Sequence, residues 1–307
     1  MLNSPNHQQE LHGYFLMIGS IIIFSLLPYY LQFLAPVDGN SLFAYRVLLQ
    51  LAFGVLFLFL IEKLAELKAI FCQPKDLLLM FVTAPLIALQ WWVFFWGPVN
   101  GETINIAMGY FLLPITMSLI GRFYFKERMS PLLSLAVTAA IIGVGIELYS
   151  NHSFSWVTLL ICLGYPPYFI LRRKSKISTT TNFVAENILI APIALTMLYF
   201  ATQQQQPLLP SSDFGLLLIL GAGFLGTIAM IFFVSASTRL SFTVFGMLNY
   251  GEPILIMFVA IFLLDETINP EQLWSYGCFA IAVLFVIFNS LLNLHISRKN
   301  TFKRDLP

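Results

Sequence analysis

The chain has 307 residues; 58% are hydrophobic and 10% are charged, against about 25% charged in a soluble domain. Sixteen basic and 15 acidic side chains, with a net charge of +1, cannot dress a water-facing surface and offer no basic face for nucleic acid. With a mean hydropathy of +0.82, the composition reads as a polytopic membrane protein.

A crossing helix needs about 20 apolar residues. Barrel strands are shorter and alternate, so the long apolar runs here predict an all-α fold. Ten transmembrane helices are expected, at 12–34, 41–61, 76–97, 103–122, 131–149, 154–171, 183–201, 213–234, 241–264 and 272–294. Turn-like breaks separate them: Pro36 to Asn40, Gln73 to Asp76, Asn151-His152, Gln203 to Pro210, and Asn269-Pro270. The polar ends, 1–10 and 295–307, are expected as cytoplasmic tails. The first ten residues hold no Lys or Arg, and no small-residue cleavage site closes the first apolar run. Segment one is therefore expected to stay as a helix, not to leave as a signal peptide.

Basic residues in short loops stay cytoplasmic. Lys63, Lys68 and Lys75 follow segment two, and Arg122, Lys126 and Arg128 follow segment four. Arg172, Arg173, Lys174 and Lys176 follow segment six, Arg239 follows segment eight, and Arg298, Lys299, Lys303 and Arg304 lie in the C-terminal tail. Fifteen of the sixteen basic residues thus share one side, and Arg46 alone lies within a segment. Both termini are therefore expected in the cytoplasm, with an even number of spans. Trp91, Trp92, Trp96, Trp156 and Trp274 then fall near the outer surface, as an interfacial belt or as a stacking surface for substrate.

Residues 114–131 and 253–270 share one pattern. Pro114, Glu127 and Pro131 match Pro253, Glu266 and Pro270 at an offset of 139. A repeat of five helices is expected, over 11–150 and 151–294, and an odd number of helices inverts the second copy. The loop charge agrees, being basic in the first copy and acidic in the second (Asp265, Glu266, Glu271). Inverted repeats are an architecture of secondary transporters. Pro114 and Pro253 each remove a backbone donor inside a helix, as a packing kink or as a hinge. Pro166-Pro167 is a further kink and candidate gate.

With its P-x₁₂-E motif in two five-helix copies, the sequence resembles the EamA group of the drug/metabolite transporter superfamily, and more narrowly its RarD branch. The strings that carry this are AYRVLLQ at 44–50, WWVFFWGPVN at 91–100, AMGYFLLP at 107–114 and FKERMSP at 125–131, followed by YFILRRK at 168–174, AENILIAPIALTMLYF at 185–200, STRLSFTVFGMLNYGEP at 237–253 and DETINP at 265–270. The resemblance spans nearly the whole chain. It implies a ten-helix transporter in a bacterial inner membrane, an exporter of small metabolites or drugs. Two positions depart from the family's usual pattern: Glu252 stands where a small or apolar residue is common, and Tyr45 where a His is.

Ionisable groups inside a bilayer are costly and tend to face a cavity. Glu252 lies about 16 Å along segment nine by helix rise, near the midplane. It suits a proton or a cationic group, or else a structural pair. Arg46 suits a carboxylate or phosphate, or it snorkels outward or pairs with Glu252. Glu186, in the first turn of segment seven, matches the branch's own Glu, and a contact with the helix N-terminus is an adequate structural account. Tyr110, Asn249, Tyr250, Asn100 and Gln50 are polar companions that either meet ligand or bridge helices. Gly143, Gly145, Gly221, Gly223 and Gly226 read as close-packing positions.

The histidines (7, 12, 152, 295) lack metal spacing, and no metal or cofactor is expected. Cys72, Cys162 and Cys278 are too scattered for a disulfide framework. There is no G-x₄-G-K-[ST], H-E-x-x-H or G-x-S-x-G string. A secondary transporter leads, ahead of a non-transporting receptor or assembly protein and an intramembrane enzyme. The expected partners are a small-molecule substrate and the bilayer, with a homodimer left open. One Glu and one Arg in an aromatic setting suit a zwitterion.

Overall fold

A computed structural model describes residues 7–151, 155–263 and 270–304. The described residues are helical and contain no strand. In chain order the helices are α1 (His7–Leu31), α2 (Gly39–Leu60), α3 (Leu64–Cys72), α4 (Pro74–Val99), α5 (Thr103–Phe123) and α6 (Pro131–Asn151). They continue with α7 (Trp156–Lys174), α8 (Thr179–Gln203), α9 (Gly215–Arg239), α10 (Phe242–Leu248), α11 (Gly251–Leu263) and α12 (Pro270–Arg304).

The starts are written in the sequence. Asp38 accepts from the N–H groups of Asn40 and Ser41, and Ser155, Ser178 and Ser241 cap α7, α8 and α10 in the same way. Pro74, Pro131 and Pro270 open α4, α6 and α12, where a missing N–H costs nothing. Gly101 takes φ +75° in the turn between α4 and α5, a left-handed conformation that favours glycine.

Nine helices among the described residues are long and apolar enough to cross a bilayer, with α10 and α11 counted as one. The exceptions are α3, with nine residues, and α7, whose 19 residues include Pro166, Pro167 and a basic end. One face of α7 buries Tyr165, Tyr168 and Arg172 against neighbouring helices, while Leu159 and Leu163 are exposed on the other. The outer face of the bundle exposes Leu56, Phe59, Leu78, Phe81, Ile141 and Leu216, side chains that water would penalise and a bilayer accepts. The chain is an all-α, multi-pass membrane protein.

Several expectations change. The loop after segment two is partly a helix, α3, which buries Leu67 and Ile70. The end expected as a tail from 295 is helical through Arg304, because nothing between Cys278 and Arg304 is Gly or Pro and Lys and Arg favour helix. Helix is also present from His7. Pro114 sits inside an unbroken α5, whereas the segment holding Pro253 is split at Asn249-Tyr250. Asp265, Glu266 and Asn269 lie outside the described residues. Gly143 does permit close approach, since a Cβ there would meet the Phe279 ring of α12 at 2.7 Å. Gly145 has nothing within 4 Å and is not a packing position.

The packing interleaves early and late helices: α2 lies on α8, α6 on α12, α1 on α9 and α11, and α7 on α5 and α4. The loops rich in basic residues gather at one end. There the Glu127 carboxylate accepts the backbone N–H groups of Phe242 (2.5 Å) and Thr243 (2.9 Å) at the start of α10. Arg173 donates to the carbonyls of Ser237 and Leu240 at the end of α9 and lies 3.9 Å from Glu127. Glu66 of α3 accepts from the Ser178 N–H at 2.6 Å and from the Ser178 and Thr181 hydroxyls at 2.9 Å. A carboxylate of α3 and one of the loop between α5 and α6 therefore hold the starts of α8 and α10.

Candidate functional site

A cavity of about 620 Å³ lies among α1, α2, α4, α5, α9 and α11. It runs from Glu252 toward the helix ends at Leu34, Gly39 and Thr103, opposite the basic end. Its wall is mostly apolar, with a few polar groups aimed inward, the usual make-up of a small-molecule site.

Arg46, the eighth residue of α2, stands in this wall. Its guanidinium lies 5.0 Å from the Trp91 ring centroid and 5.9 Å from that of Phe95, a cation–π setting. Its Nε is buried without a hydrogen-bond partner. Glu252, in the first turn of α11, lines the same cavity. Among the described residues no ion pair within 4.0 Å joins it to Arg46. Arg46 is thus neither paired with Glu252 nor snorkelled outward. The two charges face one space from separate walls.

Tyr110 and Tyr165 approach each other at 3.5 Å between hydroxyl oxygens and complete the polar rim with Asn249. Asn249 donates to the Phe245 carbonyl at 2.7 Å, which holds it at the break between α10 and α11. The Ser25 hydroxyl donates to the Glu252 carbonyl at 3.2 Å and ties that break to α1. Tyr45 also lines the cavity, with its hydroxyl bound to the Leu208 carbonyl at 2.9 Å.

An aromatic floor closes the cavity toward the basic end. Phe169 stacks on Tyr165 at 6.1 Å and meets Phe233 at 5.7 Å and Phe245 at 5.0 Å. Phe233 and Phe245 meet at 5.0 Å. Tyr165 and Phe233 face the cavity, while Phe169 and Phe245 are buried beneath them.

The structure brings together Arg46, Glu252, Tyr110, Asn249 and Pro253 and leaves the other candidates elsewhere. Tyr250 is fully buried. Its hydroxyl donates to the Phe111 carbonyl at 2.7 Å, and its ring stacks on Phe279 at 4.6 Å. Gln50 is buried beside the cavity and donates to the Gly226 carbonyl at 3.3 Å. Asn100 caps α4 from an exposed position and donates to the Trp96 carbonyl. Glu186 lies below the aromatic floor, 3.5 Å from Arg172 and hydrogen-bonded by the Tyr168 hydroxyl at 3.0 Å. A buried ion pair, not a contact with its own helix terminus, is its structural account. Pro114, Pro166 and Pro167 line no part of the cavity.

Trp91 departs from the outer-surface position expected for all five tryptophans. It is 3% exposed and lies under Arg46, away from any interfacial belt. Trp92 and Trp96 stack at 5.3 Å, and Trp96 meets Trp156 at 5.9 Å. Trp274 and Trp156 are exposed as a belt requires. Tyr165, just before the Pro166-Pro167 pair, was also missed; a tyrosine beside a kink in a poorly apolar helix is the signal that marks it.

A family model described as the EamA-like transporter family matches residues 154–288. A chloramphenicol-sensitive protein RarD of Pseudomonas aeruginosa is 36% identical over 91% of this chain and 94% of its own length. An uncharacterized transporter of Pasteurella multocida is 32% identical over 92% of this chain and 97% of its own length. Protein RarD of Escherichia coli is 23% identical over 92% of this chain. A protein of known crystal structure shares the fold, with a TM-score of 0.66 at 14% identity over 92% of this chain and 98% of that one.

Proposed function

The chain belongs to the RarD branch of the EamA-like transporter family, and from that membership we propose that it exports small zwitterionic metabolites, amino acids and their relatives, across a bacterial inner membrane by alternating access. The observation that carries the substrate class is a pair of opposite charges, Arg46 and Glu252, that form no ion pair within 4.0 Å and face one cavity of about 620 Å³. That volume suits a small molecule. The guanidinium takes a carboxylate in its fork, Glu252 takes an ammonium group, and the rings of Trp91, Phe95 and Tyr110 take the apolar remainder.

The mechanism rests on two inverted five-helix repeats, 11–150 and 151–294, in a ten-span chain with α7 as the sixth span. The pairing pattern supports this reading. Exchanging the halves turns α1 on α9 into α7 on α4, and α5 on α7 into α11 on α1, and leaves α2 on α8 and α6 on α12 unchanged; every one of these contacts is present. The Tyr250 hydroxyl and the Phe111 carbonyl bond across a separation of 139 residues, the same offset as the proline motif. Two like halves of opposite orientation supply two states of similar energy, one open to each side. With the basic loops in the cytoplasm, the present form is open outward. The aromatic floor and the carboxylate contacts of Glu66 and Glu127 close it inward.

Metabolite release tests the reading. Wild type and Glu252→Gln are overproduced in a bacterium, and the medium is profiled by mass spectrometry at matched growth. The expected result is a zwitterionic compound enriched outside by wild type and at least tenfold less by the variant. Equal enrichment by both proteins removes Glu252 from the path. Enrichment of uncharged compounds alone sinks the substrate class.

A further inference from the structure

We propose that Arg172, Glu186 and Tyr168 form the inner counterpart of the Arg46–Glu252 site and take the same zwitterionic ligand once the basic end of the bundle opens. The proposal rests on the transporter reading above and adds a second ligand-binding station to it.

The two clusters match in position. Arg46 is the eighth residue of α2, and Glu186 is the eighth residue of α8. The two helices pack on each other and start at opposite ends of the bundle, so the side chains lie at equal depths from opposite surfaces. The helix starts and the side chains share one offset, 140 residues, one more than the proline motif.

They also match in chemistry. Above the aromatic floor stand one Arg, one Glu and the hydroxyls of Tyr110 and Tyr165. Below it stand one Arg, one Glu and the hydroxyl of Tyr168. The upper charges are held apart around a cavity. The lower ones have collapsed onto each other, as expected of a binding pair whose space is closed.

The lower cluster is also poorly satisfied. Arg172 and Glu186 side chains are 1% and 0% exposed, and their closest approach is 3.5 Å. Arg172 Nε and Nη1 and Glu186 Oε1 have no hydrogen-bond partner. Arg172 is held by one donation, from Nη2 to the Thr179 carbonyl, and its guanidinium lies 5.7 Å from the Tyr168 ring centroid. A buried ion pair adds little net stability, and apolar residues of similar volume often do as well or better. Stability alone therefore does not account for spare donors and a spare acceptor at this depth.

An approach route adjoins the cluster. A polar pocket of about 550 Å³ opens at the basic end, and Thr179, the residue that holds Arg172, lines it beside Ser178, Thr238 and Arg239. Ligand arriving from that side meets Thr179 first and the Arg172–Glu186 pair next.

The test uses purified full-length protein in liposomes loaded with an equimolar mixture of the twenty protein amino acids, with release read by mass spectrometry. The main variant is the double substitution Arg172→Met/Glu186→Leu, which removes both charges and leaves none unpaired. It is expected to melt at or above the wild-type temperature while release falls at least tenfold. A double variant that melts like wild type and releases like wild type overturns the proposal. If it melts lower, Tyr168→Phe decides, because it deletes one hydroxyl and keeps the ion pair. A severalfold fall at unchanged melting temperature supports the proposal, and an unchanged rate overturns it. Failure of wild type itself to release any amino acid is a separate outcome, seen without any variant, and it sinks the zwitterion reading on which the proposal rests.

Discussion

Pro114 and Pro253 occupy matched places in one motif, yet α5 runs straight through the first while the second follows a break between α10 and α11. Each proline removes one backbone donor, so the difference lies in what precedes it. Before Pro114 stand Phe111, Leu112 and Leu113; before Pro253 stand Tyr250, Gly251 and Glu252. Leu favours helix, and Gly is poorer by about 0.5–1 kcal/mol. Asn249 completes the break. Its side chain takes the Phe245 carbonyl that its own N–H would bond in an α-helix, and that N–H turns to the Gly246 carbonyl at 3.0 Å. The Tyr250 hydroxyl pins the break to the Phe111 carbonyl of α5. A continuous helix supplies a wall. A broken one presents a fresh helix N-terminus, with Glu252 in its first turn, to the cavity.

The largest expected effect comes from healing one helix and not the other. Pro253→Ala restores a donor where Gly251 and Asn249 still weaken the helix, and the refilled bond pulls Glu252 out of its present position. Release is expected to fall at least tenfold while the melting temperature stays or rises. Pro114→Ala adds a donor to a helix that is already continuous, so release stays within about twofold and the melting temperature rises, since a proline inside a helix costs about 3 kcal/mol. Equal effects of the two substitutions on release would remove the broken helix from the mechanism.

A smaller effect separates the two ends of the broken helix. Glu127 is 17% exposed and accepts two backbone N–H groups at the start of α10. Hydrogen bonds to a charged partner contribute about 1.5–3 kcal/mol, so Glu127→Ala is expected to lower the melting temperature by several degrees. It also loosens the basic end, and a cysteine placed at Thr243 should then react faster with a water-soluble thiol reagent added from that side. A lower melting temperature without faster labelling would make Glu127 a helix cap and nothing more.

What could be read from sequence follows a simple division. Arg46, Glu252 and Asn249 stood out because a polar group in an apolar run has few innocent explanations, and all three line the cavity. The span pattern was legible because lipid and water impose opposite compositions. Partnerships were not legible. Glu127 was visible as a spacing motif, but its partners Phe242 and Thr243 lie over a hundred residues away. Arg172 and Arg173 were counted as loop charges, although one is buried against Glu186 and the other ties α9 to Glu127. Trp91, Trp92 and Trp96 looked alike in a row, and only the helix face toward Arg46 distinguishes the first. The helix α3, nine residues with one lysine and one glutamate, is too short to register as a span.

The smallest predicted effect belongs to Glu66, which does for α8 what Glu127 does for α10, but from the rim of the basic end. Burial pushes its carboxyl up, and this is outweighed by the Ser178 N–H, the Thr181 and Ser178 hydroxyls and nearby Lys63, so the net shift is downward from the ordinary value of 4.5. A carboxyl that is more acidic when folded stabilises the fold above its unfolded value and loses that contribution as pH falls through its folded value. Glu66→Gln should therefore melt below wild type at pH 7, and the gap should begin to close only below about pH 4.5. Lys63 approaches Glu66 at 3.8 Å from an exposed position, where salt screens such a pair, so added salt should narrow the gap only slightly. A gap that closed fully in high salt would assign the contact to the lysine, and the hold of α3 on the start of α8 would then be weaker than that of Glu127 on α10 in kind as well as in size.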